Sequence, residues 1–201
     1  MASPGKLSKR ELTRARVIDA AIACIYEEGF HAAHTNRIAE RAGASWGVLQ
    51  YHFGDKDSLL QAVIDHIFAE FSASLAAEKI AGETLEERVG NLIDITWSQV
   101  SRREYRVSTA ILRNAGKDPA STIDGTRQLS QWAQRTSELW DALFEPGSSG
   151  GKRSAVARRL LFAALRGMAD EINPQQFDAR LPELERSALV EIVAHLLSDP
   201  A

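Results

Sequence analysis

The side chains between residues 35 and 52 could together grip a duplex nucleic acid. Gln50 can hydrogen-bond an adenine edge in a bidentate fashion, and Val48 can pack on a thymine methyl. Tyr51 and His52 can donate to phosphate oxygens, and Gly47 lets a backbone come close to the duplex. Thr35 and Asn36 would open a helix whose free amides face an anion, with Arg37 and Arg41 adding charge beside them. Trp46 has two readings. It falls within about twenty degrees of Phe53 on a helical wheel, which favours core packing. It also occupies the first turn after a cap, where an inserted helix meets DNA.

Such groups act only if short helices hold them. Thr35 is expected to cap the first, with Ile38, Ala39 and Ala42 on its inner face. Gly43 ends it, because glycine enters the left-handed region without a Cβ penalty. Ser45 caps the second, which buries Leu49 and Phe53 at i, i+4. Gly54 stops that helix and Asp55 caps the next. Helix, glycine turn, helix is the sequence form of a helix-turn-helix, whose second helix enters the major groove.

At these residues the chain resembles the tetracycline-repressor (TetR) family of bacterial transcription factors. The resemblance rests on Gly43-Ala44-Ser45, Gly47, Leu49, Tyr51-His52-Phe53, Lys56 and Leu59-Leu60. Upstream it includes Ala20-Ala21-Ile22, Glu28-Gly29-Phe30, Thr35 and Ile38-Ala39. It covers roughly the first third of the chain. Lys56 resembles the family's phosphate-binding lysine. Trp46 departs from a position that is commonly basic or polar, and Gln50 from one that is frequently aromatic, so base preference stays open there. One of Tyr51 and His52 is left to pack against the first helix.

The 201 residues suit one or two domains. A formal net charge of −3 excludes a nucleic-acid coat protein but not a local basic site. The single cysteine, Cys24, cannot form an internal disulfide, and no apolar run approaches the ~18 residues of a membrane span. Lys6, Lys9, Arg10, Arg14 and Arg16 make the N-terminal end basic, suiting a phosphate-contacting arm or a solvated helix start. No apolar segment follows them, so no secretory signal is expected, and the cytoplasm is the expected compartment. His31 and His34 read as loop residues, not metal ligands.

Apolar periodicity predicts an all-α chain of about nine helices. The first, Ser8 to Glu28, places Leu12, Ala15, Ile18, Ala21, Ile22 and Ile25 on one stripe. A long helix runs from Asp55 to near Ile80, and Thr84 with Glu87 forms a capping box for the next. Further helices are expected near Tyr105–Leu112, Ser121–Phe144 and Ser154–Glu171, with a last one after Pro182. The loop at 146–151 and the break at Asn173-Pro174 separate them. The expected domains are 8–56, a helix-turn-helix reader, and 57–201, a helical ligand-binding and pairing body.

The resemblance implies a ligand cavity among the middle helices. Its candidates are His66, Phe71, Trp97, Gln99, Arg113, Trp132, Trp140 and Phe162, with Asn114 a further polar one; core packing explains the aromatic residues equally. It also implies pairing through the last two helices, with Leu160, Leu161, Leu165, Leu189, Ile192, Val193 and Leu196 as interface candidates. The expected function is a homodimeric repressor released from a palindromic operator by a small, largely apolar ligand, without cofactor or metal. The alternatives are a DNA-binding regulator lacking an effector and an all-α enzyme. No clustered nucleophile, carboxylate pair or phosphate loop supports the last.

Overall fold

Local capping explains where the first helices begin and end. The structure is a computed structural model that describes residues 8–75, 80, 82–115, 117, 119–144, 151–171 and 180–198. Helix α1 spans Lys9–Glu28, and a reciprocal box opens it: Glu11 N donates to Ser8 Oγ (3.2 Å) while Ser8 N donates to Glu11 Oε2 (2.8 Å). α2 spans Thr35–Arg41 and α3 spans Trp46–Phe53. Thr35 is the first residue of α2, not its cap. His34 holds the cap position, and no side chain closes that end. Ser45 does cap α3, accepting from Val48 N at 3.4 Å. Gly43 at φ +58° and Gly54 at φ +85° take the backbone conformations that end α2 and α3.

Among the described residues six further helices follow and no strand appears: α4 (Lys56–Ser74), α5 (Leu85–Val100), α6 (Arg103–Ala115), α7 (Gly125–Phe144), α8 (Lys152–Glu171) and α9 (Glu183–Ser198). No described helix is long and apolar enough to cross a membrane. Residues 1–7 of the N-terminal end, residues 146–150 of the expected 146–151 loop and the Asn173-Pro174 break lie outside the described residues.

Two helix ends differ from expectation. α4 stops at Ser74, short of Ile80, where the Ser74 hydroxyl donates to the Phe71 carbonyl at 2.7 Å and competes with the helix ladder. α7 starts at Gly125, four residues after Ser121, because Ser121 and Thr122 are engaged elsewhere. Ser121 Oγ (3.0 Å) and Thr122 N (2.7 Å) both donate to Asp57 Oδ2. Asp124 then caps α7, accepting from Arg127 N at 2.9 Å.

The chain forms two compact units. One comprises Met1–Ile67 with Arg106–Gln128, the other Phe68–Tyr105 with Leu129–Ala201. Residues 57–67 and 106–128, assigned by sequence to the body, thus pack with the helix-turn-helix. In this unit α1 packs on α2 and α2 on α3. Its core joins Val17, Ile22, Ile38, Leu49, Leu59 and Val63 to Val107 and Ile111 of α6. Leu12, 54% exposed, and Ala15 lie outside it, so the buried stripe of α1 begins at Val17. Asp57, Gln61 and Asp65, one turn apart on α4, tie down residues 121–128. Gln61 Oε1 accepts from Asp124 N (3.1 Å), and Asp65 Oδ1 accepts from Arg127 Nη2 (3.2 Å) and Gln128 Nε2 (2.6 Å).

In the second unit α5, α8 and α9 pack mutually. The expected Thr84–Glu87 capping box opens α5. Arg186 of α9 forks onto Asp94 of α5, Nε to Oδ1 at 2.8 Å and Nη2 to Oδ2 at 2.9 Å. Trp140 is 2% exposed and donates Nε1–H to Ser154 Oγ at 2.8 Å.

Candidate nucleic-acid interface

Helix α3 has eight residues, too few to persist alone in water, so packing must hold it. Leu49 and Phe53 are buried in the unit's core, and Val48 and His52 flank them half-buried. The remaining positions, Trp46, Gly47, Gln50 and Tyr51, form one outward face at i, i+1, i+4 and i+5. Trp46 is 43% exposed and Tyr51 73% exposed, so the core reading of Trp46 does not hold. Of the two adjacent rings His52 is the packed one. It meets Tyr51 edge-on at 5.2 Å, and its Nδ1 is enclosed.

The cations of α2 are already engaged. Arg37 Nε donates to Glu28 Oε2 at 3.0 Å and its Nη1 to Glu40 Oε2 at 2.9 Å. Arg41 bridges Glu27 and Glu28. These pairs pin α2 to the end of α1 and take Arg37 away from a free role. Asn36 stays exposed and Thr35 half-buried at the open end of α2.

The Arg37 hydrogen bond, ahead of the opposing burial, holds the Glu28 carboxyl below its usual value. A depressed carboxyl stabilises the fold above its unfolded pKa of about 4.3, and that stabilisation is lost as pH falls through the folded value. Glu28→Gln is therefore expected to lower the melting temperature at neutral pH and to flatten its fall below about pH 4.3. Melting curves on both proteins across that range check this; parallel pH profiles would count against it.

Lys56 opens α4 and is half-buried, its Nζ 5.2 Å from the Phe30 ring centroid. Asp55 caps this helix, accepting from Ser58 N at 2.7 Å. Beside Lys56 lies an open groove of about 480 Å³, with His31, Asn114 and Lys117 on its walls and Leu60 on its apolar side.

The sequence pattern of the bacterial regulatory proteins of the tetR family matches residues 17–63, which run from the middle of α1 to the first half of α4. The family likeness is thus carried by this N-terminal segment. It is similar to the HTH-type transcriptional regulator BetI of Burkholderia thailandensis, at 38% identity over 76 residues, 38% of this chain and 39% of that one. BetI of Paraburkholderia phymatum is 36% identical over 78 residues, 39% of this chain and 40% of that one. The chain thus matches about two-fifths of the length of these curated relatives. The whole chain shares its fold with the fatty acid degradation regulator FadR of Bacillus halodurans (TM-score 0.69, 21% identity, 96% of each chain). It also resembles FadR of Bacillus subtilis in complex with stearoyl-CoA (TM-score 0.66, 18% identity, 92% of this chain and 97% of that one). A third likeness is the multidrug binding protein EbrR complexed with imidazole (TM-score 0.62, 20% identity, 94% and 96%).

The sequence-predicted cavity residues are divided between the two units. His66, Arg113 and Asn114 belong to the first unit, the others to the second. There Trp132 is the centre of a ring cluster, 6.4 Å from Phe71 and 5.4 Å from Phe162 between centroids. Arg166, absent from the sequence candidates, covers it: Cζ lies 4.6 Å from the Trp132 ring centroid, and Nε donates to the Phe162 carbonyl at 3.0 Å. The available signal was its spacing, one turn after Phe162 on α8. Trp97 and Trp140 are buried core residues, and half-buried Gln99 donates to Ser98 Oγ. Thr96 Oγ1 and Trp97 Nε1 are buried without a hydrogen-bond partner among the described residues.

The interface candidates divide similarly. Leu161, Leu165, Leu189 and Val193 fill the second unit's own core and are not available to a partner. Leu160 and Ile192 are exposed and Leu196 is half-buried.

Proposed function

We propose that this protein is a sequence-specific DNA-binding regulator acting as a homodimer in the cytoplasm, a repressor that a small, largely apolar ligand releases from a palindromic operator. The observation that carries the reading is the outward face of α3, where two large aromatic rings and an amide stand in solvent on a helix with a packed back. Gln50 reads a base edge, Trp46 and Tyr51 lie along the groove, and Gly47 allows close approach. Thr35, Asn36 and Lys56 meet phosphates, and half-buried Val48 and His52 border the contact. Arg37 is left out, because Glu28 and Glu40 hold it. On this reading 8–56 is the reader, and the rest of the chain senses and pairs.

Pairing follows from the limited reach of one reader. Two readers about 34–36 Å apart multiply affinity and specificity. Exposed Leu160 and Ile192 supply apolar surface for it. A ligand is supported by the Phe71–Trp132–Phe162 rings, by the unpartnered donors Thr96 and Trp97, and by the imidazole and stearoyl-CoA in proteins of like fold.

Selection of bound DNA from random duplexes tests the whole reading. A palindrome is expected; recovery without sequence or symmetry would remove it. Gln50→Ala should then relax preference at one position per half-site, by about 1–3 kcal/mol, with little change at the others. Equal loss on every duplex would contradict the base-reading role.

A further inference from the structure

The geometry points to Arg14 as the positioning residue that sets the angle of α3, rather than as a contact to the ligand that α3 reads; the inference rests on the DNA reading above. The last carbonyls of a helix have no partner within it. In α3 the Gln50 carbonyl accepts from Gly54 N at 2.9 Å. The His52 carbonyl accepts instead from Arg14 Nη1 at 3.2 Å, a bond across 38 residues of chain. The same guanidinium lies over the Phe53 ring, Cζ 4.6 Å from its centroid. One turn earlier on α1, Arg10 lies 5.8 Å from the Tyr51 ring centroid.

Three effects thus converge on one planar cation. It satisfies an orphan carbonyl, it places positive charge at the negative end of a helix dipole, and it stacks on an aromatic face. Leu49 and Phe53 anchor α3 in the core, yet two residues one turn apart define a line about which a short helix can roll. Arg14 holds the end of that helix from the side. Gln50 and Tyr51 project from the turn it fixes, so their aim depends on it. A guanidinium can stack and donate in one pose, whereas a lysine ammonium keeps the charge without the plane.

That difference separates positioning from phosphate contact. Full-length Arg14→Lys and Arg14→Gln proteins are compared with wild type, first by amide exchange without DNA. Both variants should exchange about tenfold faster at residues 52–54, as loss of one charged hydrogen bond implies, with the α1 and α4 core amides unchanged. On the duplex recovered by selection, Arg14→Lys should lower the ratio of specific to scrambled-duplex affinity about tenfold and leave the salt slope as in wild type. The inference is overturned if Arg14→Lys matches wild type in both measurements while Arg14→Gln lowers the salt slope by about one per reader, the mark of a direct phosphate contact. If wild type ignores duplex DNA, the regulator reading fails, and unchanged exchange at 52–54 would still overturn the positioning role.

Discussion

Lys56→Ala is expected to weaken binding to every duplex alike and to lower the salt slope by about two units for a dimer, one for each reader. The ammonium begins α4, three residues after α3 ends, and lies over Phe30 with no carboxylate ion pair among the described residues. If two readers together neutralise six to ten phosphates, wild-type affinity should fall roughly 10³–10⁵-fold between 50 and 200 mM salt. Removing two of those contacts costs most at low salt, where counterion release is worth most. Fluorescence anisotropy titrations over that range, on the selected and a scrambled duplex, measure both quantities. A slope equal to wild type would mean that Lys56 serves only the Phe30 side of its groove.

Trp140→Ala is expected to cost the second unit about 3–5 kcal/mol, the usual range for truncating a buried tryptophan. The side chain is closed in that unit's core, and its removal also takes away the indole N–H that Ser154 Oγ accepts. Trp140→Phe separates the two effects. It loses the N–H but only part of the apolar volume, so it should cost nearer 1–2 kcal/mol. Urea unfolding curves of both variants give the comparison. Equal costs would show that the hydrogen bond, not the packed volume, dominates at this site.

The reader was legible because its signals are local. Gly43, Ser45 and Gly54 each act within one turn of their own position, and the structure puts each where backbone chemistry asks for it. The same locality misled at Thr35, where a hydroxyl one residue too late occupies the first turn instead of the cap. Arg37 illustrates another limit. Its type and place suit a phosphate, but Glu28 sits nine residues upstream on a different helix, and only the packing of α1 on α2 brings the two together. The body was less legible still. Trp97, Trp132 and Trp140 share helical spacing with their neighbours, yet two are core and one is half-buried under an arginine. Periodicity reports which face is apolar, not whether that face meets a wall or a space. The start of α7 followed from Asp57, more than sixty residues away, a pairing that no window of sequence contains.

The polar ladder of Asp57, Gln61 and Asp65 has a practical consequence for dissecting the molecule. A fragment cut after residue 67 would carry the whole helix-turn-helix yet lack Val107 and Ile111, which complete its core. Its oily side would be left raw and its α4 carboxylates would lose the strap at 121–128. Such a piece should clump or unravel in the test tube, whereas a version that splices 106–128 back through a short linker should stay folded.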